Sequence, residues 1–296
     1  MNMLSLQMNI QKELWEYKKI FVWLPTILAT IIVLIPTFNY LLGDGFPINW
    51  QYQLDRISQQ QDNALFSEII FALMTAIFIP FLIVAFIVQL YYFTACLFDE
   101  KRDLSIVFWR SLPVPDSLTI GVKLLVGAII LPAIFMLAAT VVLLIFALVA
   151  FIACIVLSVS QNIDLWGIWF SGDWVINLLS CWGTLLPLSL WLLPVYAWLM
   201  LMSMFAHKAP FLWATLPIAI ILIIEAIIVE YFNLNVAYFA TMLVDYFDFA
   251  NAISTEYSSA SSAPIKAIFS KINIGTLVLS ACFIYATYWL RVNRNQ

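Results

Sequence analysis

The side chains able to do chemistry are few, and five of them form one run, Asp99, Glu100, Lys101, Arg102 and Asp103. The run contains no nucleophile and base. Acids and bases in succession suit ion pairing with another surface, or a solvated loop. A short amphipathic stretch follows, with Ile106, Val107, Phe108, Trp109 and Leu112 apolar and Arg110 and Ser111 polar. Pro113 and Pro115 stop it, and Asp116 and Ser117 offer N-cap chemistry to the next helix. The pattern predicts a short helix across the mouth of two long spans. Its aromatics would fill a groove on a partner, and its charges would fix the register. A plain solvated loop on the Lys- and Arg-rich side is the alternative.

Hydrolytic and nucleotide chemistry find no residues. His207 is the only histidine, HExxH is absent, and no second ligand stands at metal spacing, so no metal site is expected. Gly43-Asp44-Gly45 lies in an expected outer loop and does not read as an intramembrane aspartyl protease motif. The chain has no GxxxxGK[ST] and only eight glycines, too few for a phosphate cradle. Cys96, Cys154, Cys181 and Cys282 stand in apolar stretches without a CxxC, which predicts buried thiols rather than a disulfide or metal framework. No catalytic residue and no cofactor bound by this chain are expected.

Glu225 is an acid well inside an apolar run, Ile220–Val229. A carboxylate in lipid is costly and usually faces the bundle interior or water. It reads as a residue of a substrate path, a gate or a proton carrier. The alternative is a fifth span that ends early and leaves Glu225 and Glu230 in a wet outer vestibule. Gln89, Tyr91 and Tyr92 could line a path or simply pack.

The elements that must position these residues are membrane spans. Hydrophobic residues make up 64% of the 296 and charged residues 10%, and the mean hydropathy is +0.99. A soluble domain carries roughly 25% charged residues, so lipid is the natural solvent for this surface. A span needs about 20 apolar residues. That rule predicts six, at about 20–42, 67–98, 119–157, 179–206, 213–232 and 273–290, in an all-α polytopic membrane protein with one transmembrane domain over 1–296. The second and third are overlong and contain Pro80 and Pro132, which invites tilting, kinking or projection from the bilayer. The segment 236–253, with Asp245 and Asp248, suits the interface or re-entry. No internal repeat supports an inverted-repeat architecture.

Residues 1–19 are polar, with Glu13 and Glu16, and do not resemble a cleaved signal. Leu6, Ile10, Leu14, Tyr17 and Phe21 share a helical face, with Gln7, Gln11, Lys12, Glu13 and Glu16 over much of the rest. This predicts an amphipathic helix on the inner leaflet at about 4–19. Of the thirteen Lys and Arg, ten fall on the side of the termini and the loops 99–118 and 207–212. Only Arg56, Lys266 and Lys271 fall on the other. The termini are therefore expected to be cytoplasmic.

The order LFDEKRDLSIVFWRSLPVPDS, with Lys123 beyond it, and Glu13-Leu14-Trp15-Glu16 before the first span resemble the ABC-2 type permeases of bacterial ABC transporters. The resemblance implies an N-terminal elbow helix and a cytoplasmic coupling helix over about 99–118. It implies a bacterial inner-membrane location and a second permease copy or paralogue. Two separate cytoplasmic ATPase subunits would hold the ATP and Mg. Asp99, Glu100, Lys101, Arg102 and Asp103 would pair with the ATPase, and Phe108, Trp109 and Arg110 would pack on it. Export of a hydrophobic or amphipathic cargo is the expected function. A secondary transporter or channel built on Glu225, or a non-transporting scaffold, are the alternatives. Membrane lipid is an expected partner, and nucleic acid is not.

Overall fold

The computed structural model describes residues 3–42, 63–103, 115–161, 166, 169, 173–232, 237–247, 268, 269 and 271–293. The described residues are helical, without a strand. In chain order the helices are α1 (Met3–Glu16), a π-turn (Lys19–Trp23) leading into α2 (Leu24–Leu42), α3 (Asn63–Arg102) and α4 (Asp116–Leu125). A second π-turn (Val126–Ile130) leads into α5 (Leu131–Gln161). Then come α6 (Asp173–Gly183), α7 (Leu185–Trp191), α8 (Leu193–Phe205), α9 (Pro210–Phe232), α10 (Tyr238–Phe247) and α11 (Ile274–Asn293).

Six helical segments are long and apolar enough to cross a membrane. Five fall close to where the hydropathy predicts, the fourth covers Trp174–Trp191 in place of 179–206, and the second and third are indeed overlong, at 33 and 41 residues. α3 alone has 40 residues, about 60 Å of helix against a core of about 30 Å. The fourth span departs from the single helix expected over 179–206. It is interrupted at Thr184 and Leu192, giving α6, α7 and α8. Pro187 and Pro194 each withhold a backbone N–H from the helical ladder, and Pro194 stands in the first turn of α8. The apolar segment after α9, expected at the interface or in re-entry, contains the short helix α10.

The chain packs as two compact units, Met1–Glu16 with Ile87–Leu131 and Thr184–Gln296, and Tyr17–Phe86 with Pro132–Gly183. In the first, the Phe93 ring stacks on Tyr196 at 4.5 Å and meets Tyr92 edge-on at 5.5 Å. α8 and α11 pack along one another. α11 turns Ser280, Thr287 and Arg291 inward. Both hydroxyls donate back to their own helix, to the carbonyls of Thr276 and Phe283. Small hydroxyl residues let apolar helices approach closely without leaving a donor unpaired. α8 turns into α9 through Ala206–Ala209, where Ala209 takes a left-handed φ of 47° and Pro210 opens the next helix. Tyr246 of α10 donates its hydroxyl to the Trp191 carbonyl, and burial pushes its phenol up to about 12.

In the second unit, Met74, Phe78, Phe81, Phe135, Met136 and Val142 form the core. An aromatic cluster closes one end. Phe151 meets Trp166 and Trp169 edge-on, and Trp169 stacks on Trp174 at 5.3 Å. Trp182 donates its indole N–H to Thr140. All four cysteines are free thiols.

Candidate functional site

The first unit encloses a network of charges in which Lys123 is completely buried. Its Nζ lies 2.8 Å from Glu13 Oε1 and 3.2 Å from Glu100 Oε1. Glu100 also accepts from Lys12 at 3.3 Å and, through Oε2, from Arg291 Nη1 at 3.1 Å. Arg291 Nε donates to Asp116 Oδ1 at 2.8 Å. The Tyr92 hydroxyl donates to Glu13 Oε2 at 3.0 Å. Glu13, Glu100 and Arg291 are each 2% exposed. Three cations, Lys12, Lys123 and Arg291, thus balance three carboxylates, Glu13, Glu100 and Asp116. Neutrality matters because a buried ion left unpaired costs several kcal/mol.

Helical spacing explains how the pieces arrive there. On α3, Gln89, Tyr92, Phe93, Cys96 and Glu100 are all buried and follow the i, i+3, i+4, i+7, i+11 stripe of one face. Glu100 is that stripe's last member. Lys123 stands seven residues beyond Asp116 on the same helix, so both face one side. Arg291 sits in the last turn of α11, where the helix dipole favours a cation. The expected apolar face of α1 is turned inward, with Leu6, Ile10 and Leu14 half-buried and Tyr17 and Phe21 beyond it buried, and one residue departs from expectation. Glu13, predicted on the watery side, is its deepest residue, while Met8 and Trp15 are 70% and 74% exposed. The hydrophobic periodicity and the ion network agree on how α1 is rotated, since Glu13 stands next to Leu6 around the helix.

A second polar layer lies beside the first. The π-turn at Val126–Ile130 removes carbonyls from the regular ladder, and side chains from neighbouring helices take them up. Gln89 donates to Gly127 O at 2.9 Å, and Ser189 donates to Ala128 O at 2.6 Å. Tyr196 donates to Gln89 Oε1 at 3.0 Å. A Cβ on Gly127 would lie 2.5 Å from Phe93 Cζ, so only glycine admits this contact.

The run Asp99–Asp103 divides by direction. Glu100 points inward. Lys101 donates to the Ala206 carbonyl at 3.1 Å, at the end of α8. Arg102 and Asp103 face outward, paired with each other at 3.0 Å, and Arg102 also meets Asp99 at 3.3 Å. Phe108, Trp109 and Arg110 lie outside the described residues, as do all of 104–114, the middle of the coupling helix expected over about 99–118. Gln89 belongs to the polar layer. Glu225 belongs to neither layer and caps α10. Glu13, Lys12, Lys123, Asp116 and Arg291 join the site without having been singled out for it by sequence.

The network leaves no free nucleophile or base, and no cluster able to hold a metal occurs among the described residues. Arg291 pairs with Glu100 before residues 104–114 and with Asp116 after them, and so ties the flanks of that segment to α11. Through Glu100 and Lys123 the same flanks are tied to α1. No family model, curated protein or solved structure matches the chain.

Proposed function

We propose that the chain is the membrane-spanning permease subunit of an ABC-2 type exporter in a bacterial inner membrane, with cytoplasmic termini, driven by separate ATPase subunits. It would work with a second permease copy or paralogue, and ATP and Mg would bind in the ATPases. The observation that carries the reading is the double pairing of Arg291 with the flanks of residues 104–114. A loop that receives force from a partner must be anchored rigidly, or its movement dissipates locally. Anchoring both stems to α1 and α11 converts loop displacement into helix displacement. ATP binding then favours one of two packings through the contacts the loop makes.

Within this reading the run divides its work. Glu100 anchors, and Arg102 and Asp103 present charge to the ATPase. The test uses the outward pair, because replacing Glu100 would also disturb the buried network. The tagged chain, purified from its native membrane, is expected to bring down a soluble ATPase. Reversing both charges, Arg102→Glu with Asp103→Arg, should lower ATPase association and uncouple hydrolysis from transport while the melting temperature holds. Absence of any ATPase from the purified material, or full coupling in the reversed variant, would sink the proposal.

A further inference from the structure

Glu225 is carried by α9 in an otherwise aliphatic stretch. It lies seven residues, about 10 Å, from the end of that helix at Phe232. Its carboxylate is not unsatisfied. Oε1 accepts the backbone N–H of Phe239 at 2.5 Å, and Oε2 accepts that of Ala240 at 2.8 Å. These are the second and third residues of α10, whose first-turn N–H groups have no partner within their own helix. Glu225 therefore caps α10 from the neighbouring helix.

The cap leaves charge over. A helix N-terminus offers roughly half a positive charge, against the full negative charge of a carboxylate. No cation pairs with Glu225 among the described residues. A carboxylate has about four acceptor positions, and the two N–H groups occupy one on each oxygen. Glu225 lines a groove of about 360 Å³ together with Ile221, Ile224, Ile228, Val229, Tyr238 and Phe239, and the surface of the groove is almost entirely apolar. That volume lies within the range of roughly 300–1,000 Å³ common for small-molecule sites.

We propose that this groove binds a hydrophobic organic cation. An ammonium or phosphonium centre would sit against Glu225, with its apolar body along Ile221, Ile224 and Ile228. Charge complementarity selects the occupant. A neutral molecule gains only the apolar contact, which lipid supplies equally well. An anion of the same shape meets the unbalanced carboxylate. Tyr238 and Phe239 are aromatic lining residues, and an aromatic face attracts a cation and not an anion. The inference concerns binding by this chain alone and needs neither an ATPase nor transport, so it stands or falls apart from the permease reading.

The test is equilibrium binding of tetraphenylphosphonium to the full chain in phosphatidylcholine nanodiscs, in excess of empty discs. Tetraphenylborate, an anion of matching shape, serves as the comparison. Saturable binding of the cation and none of the anion is expected. Glu225→Gln should weaken cation binding by about tenfold, the loss of one ion pair worth a decade in affinity. Ile224→Trp, which fills the groove and leaves the cap in place, should weaken it as well, and this covers the case in which Glu225→Gln loosens α10. Equal binding of the anion, unchanged binding in both variants, or a groove closed to the probe by a second copy of the chain would overturn the proposal.

Discussion

Lys123 touches no solvent and holds two carboxylates within 3.2 Å. Replacing it with methionine keeps most of the aliphatic volume and removes the charge. Glu13 then loses its only ion-pair partner among the described residues, and the network changes from neutral to a net charge of −1. Breaking one partner of a buried pair typically costs about 3–5 kcal/mol. Lys123→Met should lose that much in a denaturant titration in mixed micelles. Adding Glu13→Gln restores neutrality and should recover part of the loss, so the double variant is more stable than the single one. Simple additivity of the two changes would mean that the pair is not coupled. The run around Glu100 is legible in sequence as charge, but its direction is not. The inward turn of Glu100 follows only once Tyr92 and Cys96 are known to be buried on the same face. Glu13, Lys123 and Arg291 could not be found as partners, because 110 and 191 residues separate the paired positions. Local pattern carries no record of contacts at that separation.

At the scale of elements, the π-turn is where the third span departs from a regular helix. The departure is supported from three sides, by Gln89, by Ser189 and by the close approach of Phe93 to Gly127. Gly127→Ala would force its new methyl into Phe93 and Tyr92, 2.5 and 2.7 Å away. Overpacking of this kind usually costs about 1–3 kcal/mol. At Gly121, six residues earlier, a methyl would meet nothing within 4 Å. There, alanine should be neutral or stabilising by up to about 1 kcal/mol, from the lower backbone entropy of the unfolded chain. Melting temperatures of the two variants in the same detergent compare the sites directly, and a loss of equal size at both would remove the case for close packing at Gly127. The spans are legible because lipid demands long apolar runs, a condition written along the chain. The π-turns are not, since Val126–Ile130 reads as ordinary apolar helix and its irregularity depends on acceptors being met by other helices. The breaks at Thr184 and Leu192 have a local signal in Gly183, Pro187 and Pro194 that hydropathy averages away.

For the molecule as a whole, the charge asymmetry and the buried network bear on one another. Lys12, Lys123 and Arg291 belong to the ten cations assigned to the side of the termini, yet all three are consumed by ion pairs inside the folded protein. Counting only the remaining seven against three would weaken the orientation argument. The fold, however, is not what decides orientation. Spans are oriented as they insert, before α11 exists to bring Arg291 to Glu100, and at that stage Lys and Arg near each span count whether or not they later pair, while Asp and Glu contribute little. All ten therefore act. A fluorescent protein fused after Gln296 should fold and fluoresce on the cytoplasmic side, and alkaline phosphatase fused there should be inactive. Phosphatase inserted between residues 248 and 267, on the side that carries Lys266, should be active. Neutralising Lys12, Lys123 and Arg291 together would separate the two roles. If orientation is set during insertion by the whole set, seven against three still holds the termini inside, and the cost appears as lost stability with the reporters unchanged. If the reporters invert instead, those three cations direct insertion as well as hold the fold.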